Sequence, residues 1–334
     1  MATQKMKDKL AEAIQHIKEK KQESEEFIVR INTHYNPDPD AIGSAMGLQV
    51  LLKDEGIESK IYYSGEISHP QNKTIVNVLG VTLEKRNGKP LPDGVDACVD
   101  CTESNSKAEN PVLVIDHHKS STKAKYNFTD TSYGSCSALV WKMMKEDNHE
   151  PTQENSAVYT ALLLGIRTDT NDLVSENISK DDFIGYQELL EHSDKESLQK
   201  VMNYPFPRYL YDNRLNVHKE GNSIEKDGVF IGGVGYISGS QRDVISILSE
   251  EYARMESVTT SVIFAIVDKK ELHVSVRSTL VSVDVSQMMK DLFGEYGGGK
   301  SNAGAARIPL AFYDDMVGEE AEKLWKLTCN QMFK

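Results

Sequence analysis

The chain has 334 residues, which at roughly 150 residues per domain suggests two domains, each long enough to bury its own core. Hydrophobic residues make up 39% and charged residues 27%, which argues against a disordered, collagen-like or coiled-coil chain. The 38 Lys and Arg against 51 Asp and Glu give a net charge of −13, which argues against binding of long duplex nucleic acid, because such binding depends on basic residues that neutralise phosphates.

The first residues lack an apolar block followed by small residues, so a secretory signal is not expected. Met6, Leu10, Ile14 and Ile17 instead recur at helical spacing and predict an amphipathic surface helix over residues 4–22. No apolar run approaches the roughly 20 residues that cross a bilayer, and four cysteines are too few for a disulfide scaffold. We therefore expect a cytoplasmic protein with no membrane partner.

Short apolar strands alternate with helical patterns through the first part of the chain. Strands are predicted at 27–32, 60–63, 96–100 and 112–116, and helices at 41–53, 136–147, 153–167 and 180–192. This alternation is typical of βαβ units and predicts an α/β fold with a mostly parallel sheet flanked by helices. Such sheets place ligands beyond the carboxyl ends of their strands.

The pattern loosens over residues 195–227, which we interpret as a linker between a domain at 1–194 and a smaller one at 228–334. In the smaller domain we predict strands at 229–237, 261–267 and 272–276, helices at 243–254 and 283–293, and a glycine run at 297–299. The second and third of these strands form a hairpin that turns at 268–271. We expect a smaller α/β domain with a mixed sheet.

Acidic and histidine side chains follow three of the predicted strands of the first domain. They are His34, Asp38 and Asp40, then Asp100, then Asp116, His117 and His118, and a further carboxylate, Asp169, follows a helix. If the strands are neighbours, these groups converge at one rim of the sheet. The plain alternative for Asp40 is a helix N-cap, which would leave His34 and Asp38 without a role.

Five carboxylates near one point would repel one another. Each pair at 4 Å costs about 1 kcal/mol in water and about 4 kcal/mol at an effective dielectric constant of 20. Divalent cations remove this penalty, and mixed imidazole and carboxylate ligands suit Mn²⁺, Fe²⁺ or Zn²⁺ better than Ca²⁺. There are enough ligands for two ions that share an aspartate.

Taken in order, these segments resemble the four motifs of the DHH phosphoesterase family. The motifs are His34-x-x-x-Asp38-x-Asp40-x-x-Gly43-Ser44, Asp100 in Val-Asp-Cys-Thr, Asp116-His117-His118, and Asp169-Thr170. Val276-Arg277-Ser278 and the glycine run with the residues after it look like the DHH-associated substrate domain. The resemblance spans about residues 25–312 and is to the stand-alone oligoribonuclease (nanoRNase) and 3′,5′-bisphosphate nucleotidase group.

The resemblance implies a role for each motif residue. His34, Asp38 and Asp100 would hold one Mn²⁺, and Asp40, Asp100, His117 and Asp169 would hold the other, with Mg²⁺, Fe²⁺ or Co²⁺ as alternative metals. The catalytic group would be His118, Asp116 and Asp100, in which His118 contacts the scissile phosphate, Asp116 orients the histidines and Asp100 bridges the ions. The implied reaction is hydrolysis by water that the two metals activate.

Gly294 to Ser301 also satisfy the P-loop pattern G-x-x-x-x-G-K-[ST]. That motif needs a strand before it and a helix after it, whereas a helix is predicted before it here. We therefore expect either a plain turn or, preferably, a cradle of glycine amides for a phosphate or a nucleotide edge. The predicted substrate-binding residues are Arg277, Ser278, Gly297, Gly298, Gly299 and Lys300. Where the family usually has histidine, this chain has Lys300.

Cys98-Val-Asp-Cys101 matches C-x-x-C. Along a strand the two sulfurs would face opposite sides, so we expect core cysteines and no redox pair.

Three functions follow from these patterns. The first is a Mn²⁺-dependent phosphoesterase that acts on short RNA, linear dinucleotides such as pApA, or adenosine 3′,5′-bisphosphate. The second is an inorganic pyrophosphatase or exopolyphosphatase, which shares the metal motifs, and the third is a nucleotide-binding regulator without turnover. The oligomeric state is not fixed by the sequence, and a homodimer stays open.

Overall fold

The computed structural model describes residues 2–24, 26–175, 177–310 and 319–333. The chain divides into two compact units, Met1–Pro205 and Phe206–Lys334, and the division falls inside the segment expected to be a linker. Of the helices in the described ranges, none combines the length and the apolar character needed to span a bilayer.

The first unit contains a six-stranded sheet in which every strand pair is parallel. Its strands are β1 (Ile28–Asn32), β2 (Ser59–Tyr63), β3 (Leu83–Lys85), β4 (Gly94–Val99), β5 (Leu113–Asp116) and β6 (Tyr126–Thr129). The spatial order is β3-β2-β1-β4-β5-β6, so the chain reverses direction across the sheet between β1 and β4. The predicted parallel sheet is confirmed, although the short strands β3 and β6 were not predicted.

Seven helices of the described part of this unit complete the fold. They are α1 (Ala2–Lys21), α2 (Pro39–Asp54), α3 (Pro70–Val78), α4 (Cys136–Glu146), α5 (Ser156–Asp169), α6 (Lys180–His192) and α7 (Lys195–Met202). The main core joins Val29 and Ile31 of β1 to apolar side chains of these helices. α1 is the predicted amphipathic helix, and its Leu10 and Ile17 are almost completely buried.

The second unit contains a mixed six-stranded sheet, as predicted. Its elements are α8 (Arg208–Val217), β7 (Ser223–Lys226), β8 (Val229–Ile237), α9 (Val244–Tyr252), β9 (Thr260–Val267), β10 (Glu271–Ser278), α10 (Val285–Phe293), β11 (Gly297–Gly299), β12 (Ala303–Pro309) and α11 (Glu319–Met332). The order is β11-β12-β10-β9-β8-β7, with β8 and β9 parallel and the other pairs antiparallel. The predicted hairpin of β9 and β10 is confirmed.

Residues 195–227 do not form an irregular linker. They contain α7, which belongs to the first unit, and α8 and β7, which belong to the second. The physical reason is burial: Val201 joins the first core, and Leu210 and Val217 are completely buried in the second. These single apolar side chains are separated by charged residues and prolines, which hid the helical pattern in the sequence.

Candidate metal centre

The predicted acidic and histidine residues meet at the carboxyl edge of the first sheet. His34 and Asp38 lie between β1 and α2, and Asp100 follows β4 directly. β1 and β4 are the neighbouring strands at which the order reverses, the place where open α/β sheets form a ligand crevice. Asp116 ends β5 and Asp169 ends α5.

Within the described residues, three groups of side chains bring ligand atoms within 4.8 Å of one another. The first trio is His34, Asp38 and Asp100, and the second trio is Asp40, His117 and Asp169. The third group, Asp100, His117 and His118, shares one member with each trio. The expected convergence is therefore confirmed, and Asp100 and His117 lie at its centre.

In the first trio, His34 faces two carboxylates. Its Nε2 is 3.7 Å from Asp38 Oδ1 and 3.6 Å from Asp100 Oδ2. Burial of the ring opposes protonation, but a hydrogen bond to Asp38 and the charges of Asp38 and Asp100 raise the pKa of His34 to about 9.

Asp100 has a φ of 55°, a left-handed conformation that is rare for residues other than glycine. Such backbone strain occurs most often at functional sites, and here it turns the chain directly after β4.

In the second trio, one ring nitrogen of His117 faces the carboxylates and the other faces the backbone. Nε2 lies 3.1 Å from Asp169 Oδ2, 3.7 Å from Asp40 Oδ2 and 3.4 Å from Asp100 Oδ1. Nδ1 lies 3.2 Å from the carbonyl oxygen of Tyr133. Burial opposes the charged ring, but Asp100, Asp169 and Asp40 together raise the pKa of His117 to about 11.

Asp40 is completely buried and has two partners on α4. Its Oδ2 accepts a hydrogen bond from Cys136 N at 2.7 Å and its Oδ1 accepts one from Ser137 N at 2.8 Å. Burial and the charges of Asp100 and Asp169 nevertheless hold the pKa of Asp40 well above its usual range. The N-cap of α2 is Asp38, which accepts from the amides of residues 40 and 41, so the capping role considered for Asp40 belongs to its neighbour.

These residues fit divalent metal ions. His117 Nε2 and Asp100 Oδ1 are buried and make no hydrogen bond, although these two atoms lie only 3.4 Å from each other. Buried polar atoms are rarely left without a partner, and a cation would satisfy both. Burial also raises the pKa of Asp100, and a bound cation would favour the ionised form of this carboxylate. Because the Nδ1 of His117 donates to a carbonyl, Nε2 is the nitrogen that a metal would bind once the proton on it is lost.

His118 and Asp116 form a separate pair beside the trios. Asp116 Oδ1 lies 3.0 Å from His118 Nδ1 and accepts the backbone N–H of His118, while its Oδ2 accepts the Ser120 hydroxyl at 2.7 Å. Burial opposes ionisation, but these hydrogen bonds lower the pKa of Asp116. Asp116 therefore orients His118, whereas His117 is held by Tyr133. Neither Tyr133 nor Ser120 belongs to a recognisable motif, so the sequence pattern did not predict their roles.

Arg277 lies at the end of β10 with its guanidinium mostly buried. Its Nη1 donates to the carbonyl of Val276 at 3.0 Å and to the Ser275 hydroxyl at 3.3 Å, and burial lowers its pKa. The Ser278 hydroxyl is buried and bonds Thr260 Oγ1 at 3.0 Å. The Ser278 hydroxyl is thus engaged inside the unit, and its contact with a substrate stays a prediction.

The glycine run is a strand and not a turn. Gly297, Gly298 and Gly299 form β11 at the edge of the sheet and pair with β12, which follows, while α10 precedes, so the P-loop context is absent here as expected. A Cβ at Gly297 would lie 2.1 Å from Met289 O, and one at Gly299 would lie 2.2 Å from Ala303 O. Close packing therefore requires these two glycines, whereas Gly298 faces open space.

The sheet register brings Arg277 and the glycine strand to the same end of the second unit. Arg277 pairs with Ala303 of β12, and the next β12 residue, Gly304, pairs with Gly299. Lys300 N donates to the carbonyl of Ala303 at 2.7 Å. The predicted substrate residues of this unit are thus neighbours, although the glycine backbone has β12 as its partner on one side.

Cys98 and Cys101 lie in one buried cluster with Val114. The expectation that their sulfurs face opposite sides was wrong, because β4 ends at Val99 and the left-handed turn at Asp100 breaks the alternation of side chains. Their expected burial is confirmed, since all four cysteines are free and buried.

Residues 28–166 match the model of the DHH family, N-terminal domain, and residues 232–327 match that of the DHHA1 domain. An uncharacterized protein of Methanocaldococcus jannaschii, MJ1633, is 30% identical over 308 residues, which cover 91% of this chain and 62% of that protein. This chain thus spans less than two thirds of the length of that relative.

Two further relatives have names that describe an activity. The bifunctional oligoribonuclease and PAP phosphatase NrnA of Bacillus subtilis is 24% identical over 205 residues, which cover 57% of this chain and 58% of that protein. A protein named probable manganese-dependent inorganic pyrophosphatase, from Streptococcus thermophilus, is 28% identical over 149 residues, which cover 41% of this chain and 46% of that protein.

The fold resembles a solved structure of an exopolyphosphatase-related protein from Bacteroides fragilis. The TM-score is 0.66 at 16% identity, and the match covers 98% of this chain and 96% of that one, which shows a shared fold.

Proposed function

Because the chain belongs to the DHH family of phosphoesterases and carries a DHHA1 domain, we propose that it hydrolyses phosphate esters of short oligoribonucleotides, linear dinucleotides such as pApA, or adenosine 3′,5′-bisphosphate, with two Mn²⁺ ions. The observation that carries this proposal is the pair of ligand trios, bridged by Asp100, with two buried ligand atoms that lack hydrogen-bond partners.

Each residue of the centre has a role in this reaction. The first trio would hold one ion, and the second trio, with Asp100, would hold the other. Divalent ions bound at these positions would supply an activated water and neutralise charge on the phosphate. Asp116 fixes His118 through Nδ1, which leaves the Nε2 of this half-exposed ring for the substrate phosphate. His118 can then stabilise the charge that develops on the phosphate oxygens.

The second unit supports a nucleotide substrate over a bare phosphate. Arg277 presents a planar donor group that suits phosphate, and it lies at the same end of its sheet as the glycine strand and Lys300. The net charge of −13 fits a substrate that needs one local cationic pocket and no long basic track. The proposed partners are therefore short RNA or a small phosphorylated nucleotide.

Inorganic pyrophosphatase or exopolyphosphatase activity is the second candidate. The metal-centre residues all lie between positions 34 and 169, and nothing in their geometry selects an ester over a phosphoanhydride. The similarity to the protein named as a pyrophosphatase, which extends over 149 residues, supports this candidate equally well for the metal centre. The DHHA1 domain and the longer match to NrnA favour the ester.

A substrate panel tests the proposal. Protein stripped with EDTA is given Mn²⁺, Mg²⁺ or Co²⁺ and assayed with pApA, adenosine 3′,5′-bisphosphate, pyrophosphate and polyphosphate. Metal-dependent release of AMP from either nucleotide is expected, and Asp54→Asn, a change in a carboxylate bonded to His149 away from the trios, serves as the control. Phosphate release from pyrophosphate alone would establish the second candidate, and nucleotide binding without turnover would refute both.

A further inference from the structure

Asp182 lies at the N-terminus of α6, outside every motif, yet it is completely buried. It belongs to a capping box in which Ser179 Oγ accepts the backbone N–H of Asp182 and Asp182 Oδ2 accepts the backbone N–H of Ser179. A capping box satisfies helix amides and needs nothing more. Asp182 makes further hydrogen bonds to a segment 47 and 48 residues earlier in the chain, so helix capping does not account for it.

The first of these bonds reaches the peptide group between Tyr133 and Gly134. Gly134 N donates to Asp182 Oδ2 at 2.8 Å, and the carbonyl at the other side of the same peptide, Tyr133 O, lies 3.2 Å from His117 Nδ1. One peptide plane thus connects the carboxylate to the histidine of the second trio. When the N–H of a peptide group donates to a carboxylate, the peptide group becomes more polarised. The hydrogen bond that its carbonyl oxygen accepts then becomes stronger.

The second bond reaches the helix that holds Asp40. Ser135 Oγ donates to Asp182 Oδ1 at 3.1 Å and also caps α4 by accepting Ala138 N. The first two amides of α4, from Cys136 and Ser137, are the partners of the Asp40 carboxylate. The two oxygens of Asp182 therefore act on two different ligands of the second trio.

Segment 133–135 approaches Thr170 and Asp182 so closely that residue 134 has to be a glycine. A Cβ at Gly134 would lie 2.8 Å from Thr170 Cγ2 and 3.2 Å from Asp182 Oδ2. Thr170 directly follows Asp169, the third ligand of the second trio. The segment 133–135 is thus packed against the end of α5 as well as bonded to Asp182.

We propose that Asp182 is a positioning residue for the second trio: through segment 133–135 it fixes the ring of His117 and the carboxylate of Asp40 for one of the two divalent ions. The inference rests on the proposed function only in that this trio holds an ion. Groups that orient metal ligands typically change metal affinity about 10- to 100-fold when they are removed. Segment 133–135 bonds His117 and the helix that holds Asp40, both of the second trio, so the ion of the first trio should be much less affected.

The test is a titration of EDTA-stripped protein with Mn²⁺, in which electron paramagnetic resonance reports free Mn²⁺ and circular dichroism reports thermal unfolding. Asp182→Asn keeps the size of the side chain but replaces one acceptor oxygen by a donor. We expect the ion of the second trio to bind about 10- to 100-fold more weakly and the other ion to keep its affinity. A His34→Gln background, which disables the first trio, allows the effect to be measured on the second trio alone.

Ser179→Ala is the matched control, because it removes the cap of α6 and the bond from Ser179 Oγ to Asp182 Oδ2 but leaves the bonds of Asp182 to Gly134 and Ser135. This variant should melt at a lower temperature and keep both Mn²⁺ affinities. Unchanged Mn²⁺ binding in Asp182→Asn, or an equal loss in both variants, would overturn the inference. If Asp182→Asn does not fold, Ser135→Ala removes the second bond together with the N-cap of α4 and leaves the bond of Asp182 to Gly134. It should weaken the same ion, and wild-type binding by that variant would overturn the inference as well.

The two proposals fail in different measurements. A wild-type protein that binds Mn²⁺ but hydrolyses none of the phosphate compounds would refute the proposed function and leave the comparison of Asp182→Asn with Ser179→Ala valid. A wild-type protein that binds no Mn²⁺ would refute both.

Discussion

Manganese binding to this centre should release protons, because both histidines of the trios have raised pKa values in the metal-free protein. The pKa is about 9 for His34 and about 11 for His117, since the surrounding carboxylates outweigh the effect of burial. Both rings are therefore protonated at pH 7, whereas a metal needs the neutral imidazole. Each ion must displace at least one proton from its histidine.

The size of the effect follows from these pKa values. At about 1.4 kcal/mol for each pKa unit, removing the proton at pH 7 costs about 3 kcal/mol for His34 and about 5.5 kcal/mol for His117. Each histidine holds its proton at any pH below its pKa, and this proton competes with the metal for the same nitrogen. Metal affinity therefore falls as the pH is lowered. Between pH 6 and 8 the affinity for each ion should rise about tenfold for each pH unit.

Isothermal titration calorimetry in buffers of different ionisation enthalpy measures the protons directly. We expect about one proton for each ion at pH 7, and therefore about two at saturation. His34→Gln should lower the total by about one, and His218→Gln, whose ring bonds Tyr252 in the second unit, should leave it unchanged. Heats that do not depend on the buffer, together with a Kd that is constant from pH 6 to 8, would refute the reasoning.

Three substitutions test the remaining parts of the account. Asp100→Ala should abolish hydrolysis of pApA without unfolding the protein by circular dichroism, and retained turnover would remove the bridging role of Asp100. Gly165→Ala places a Cβ 2.2 Å from Ser137 Oγ and 2.8 Å from Asp40 Oδ1. It should cost about 1–3 kcal/mol in urea unfolding and weaken Mn²⁺ binding. Gly185→Ala is the control, because its Cβ would lie 3.3 Å from the side chains of Ile166 and Trp141 and near no metal ligand, and it should keep its Mn²⁺ affinity. Arg277→Ala should raise KM more than it lowers kcat in steady-state assays, because it removes binding remote from the reacting bond, and a loss confined to kcat would contradict that role.

The sequence predicted what depends on local pattern. Strand β8 was predicted with the bounds that the structure has, and the residues of both trios were singled out as candidate metal ligands, because apolar alternation and short motifs are local properties. The convergence at one rim followed from the rule that parallel strands present their carboxyl ends together. Here that rule applies at β1 and β4, where the strand order reverses.

The sequence could not predict what depends on contacts between distant segments. The partners of the Asp40 carboxylate are amides of α4, which lie 96 and 97 residues away in the chain. The alternative that Asp40 caps α2 was wrong, because Asp38 is the N-cap. The common burial of Cys98 and Cys101 depends on one left-handed residue between them. The glycine run became an edge strand because β12 supplies its hydrogen bonds.

Crystals grown with Mn²⁺ and measured near the manganese absorption edge give the most direct test of the metal centre. The account predicts two anomalous peaks, one within ligand distance of His34, Asp38 and Asp100 and the other within ligand distance of Asp40, His117 and Asp169. Manganese-saturated crystals with no anomalous peak beside Asp100 would contradict it.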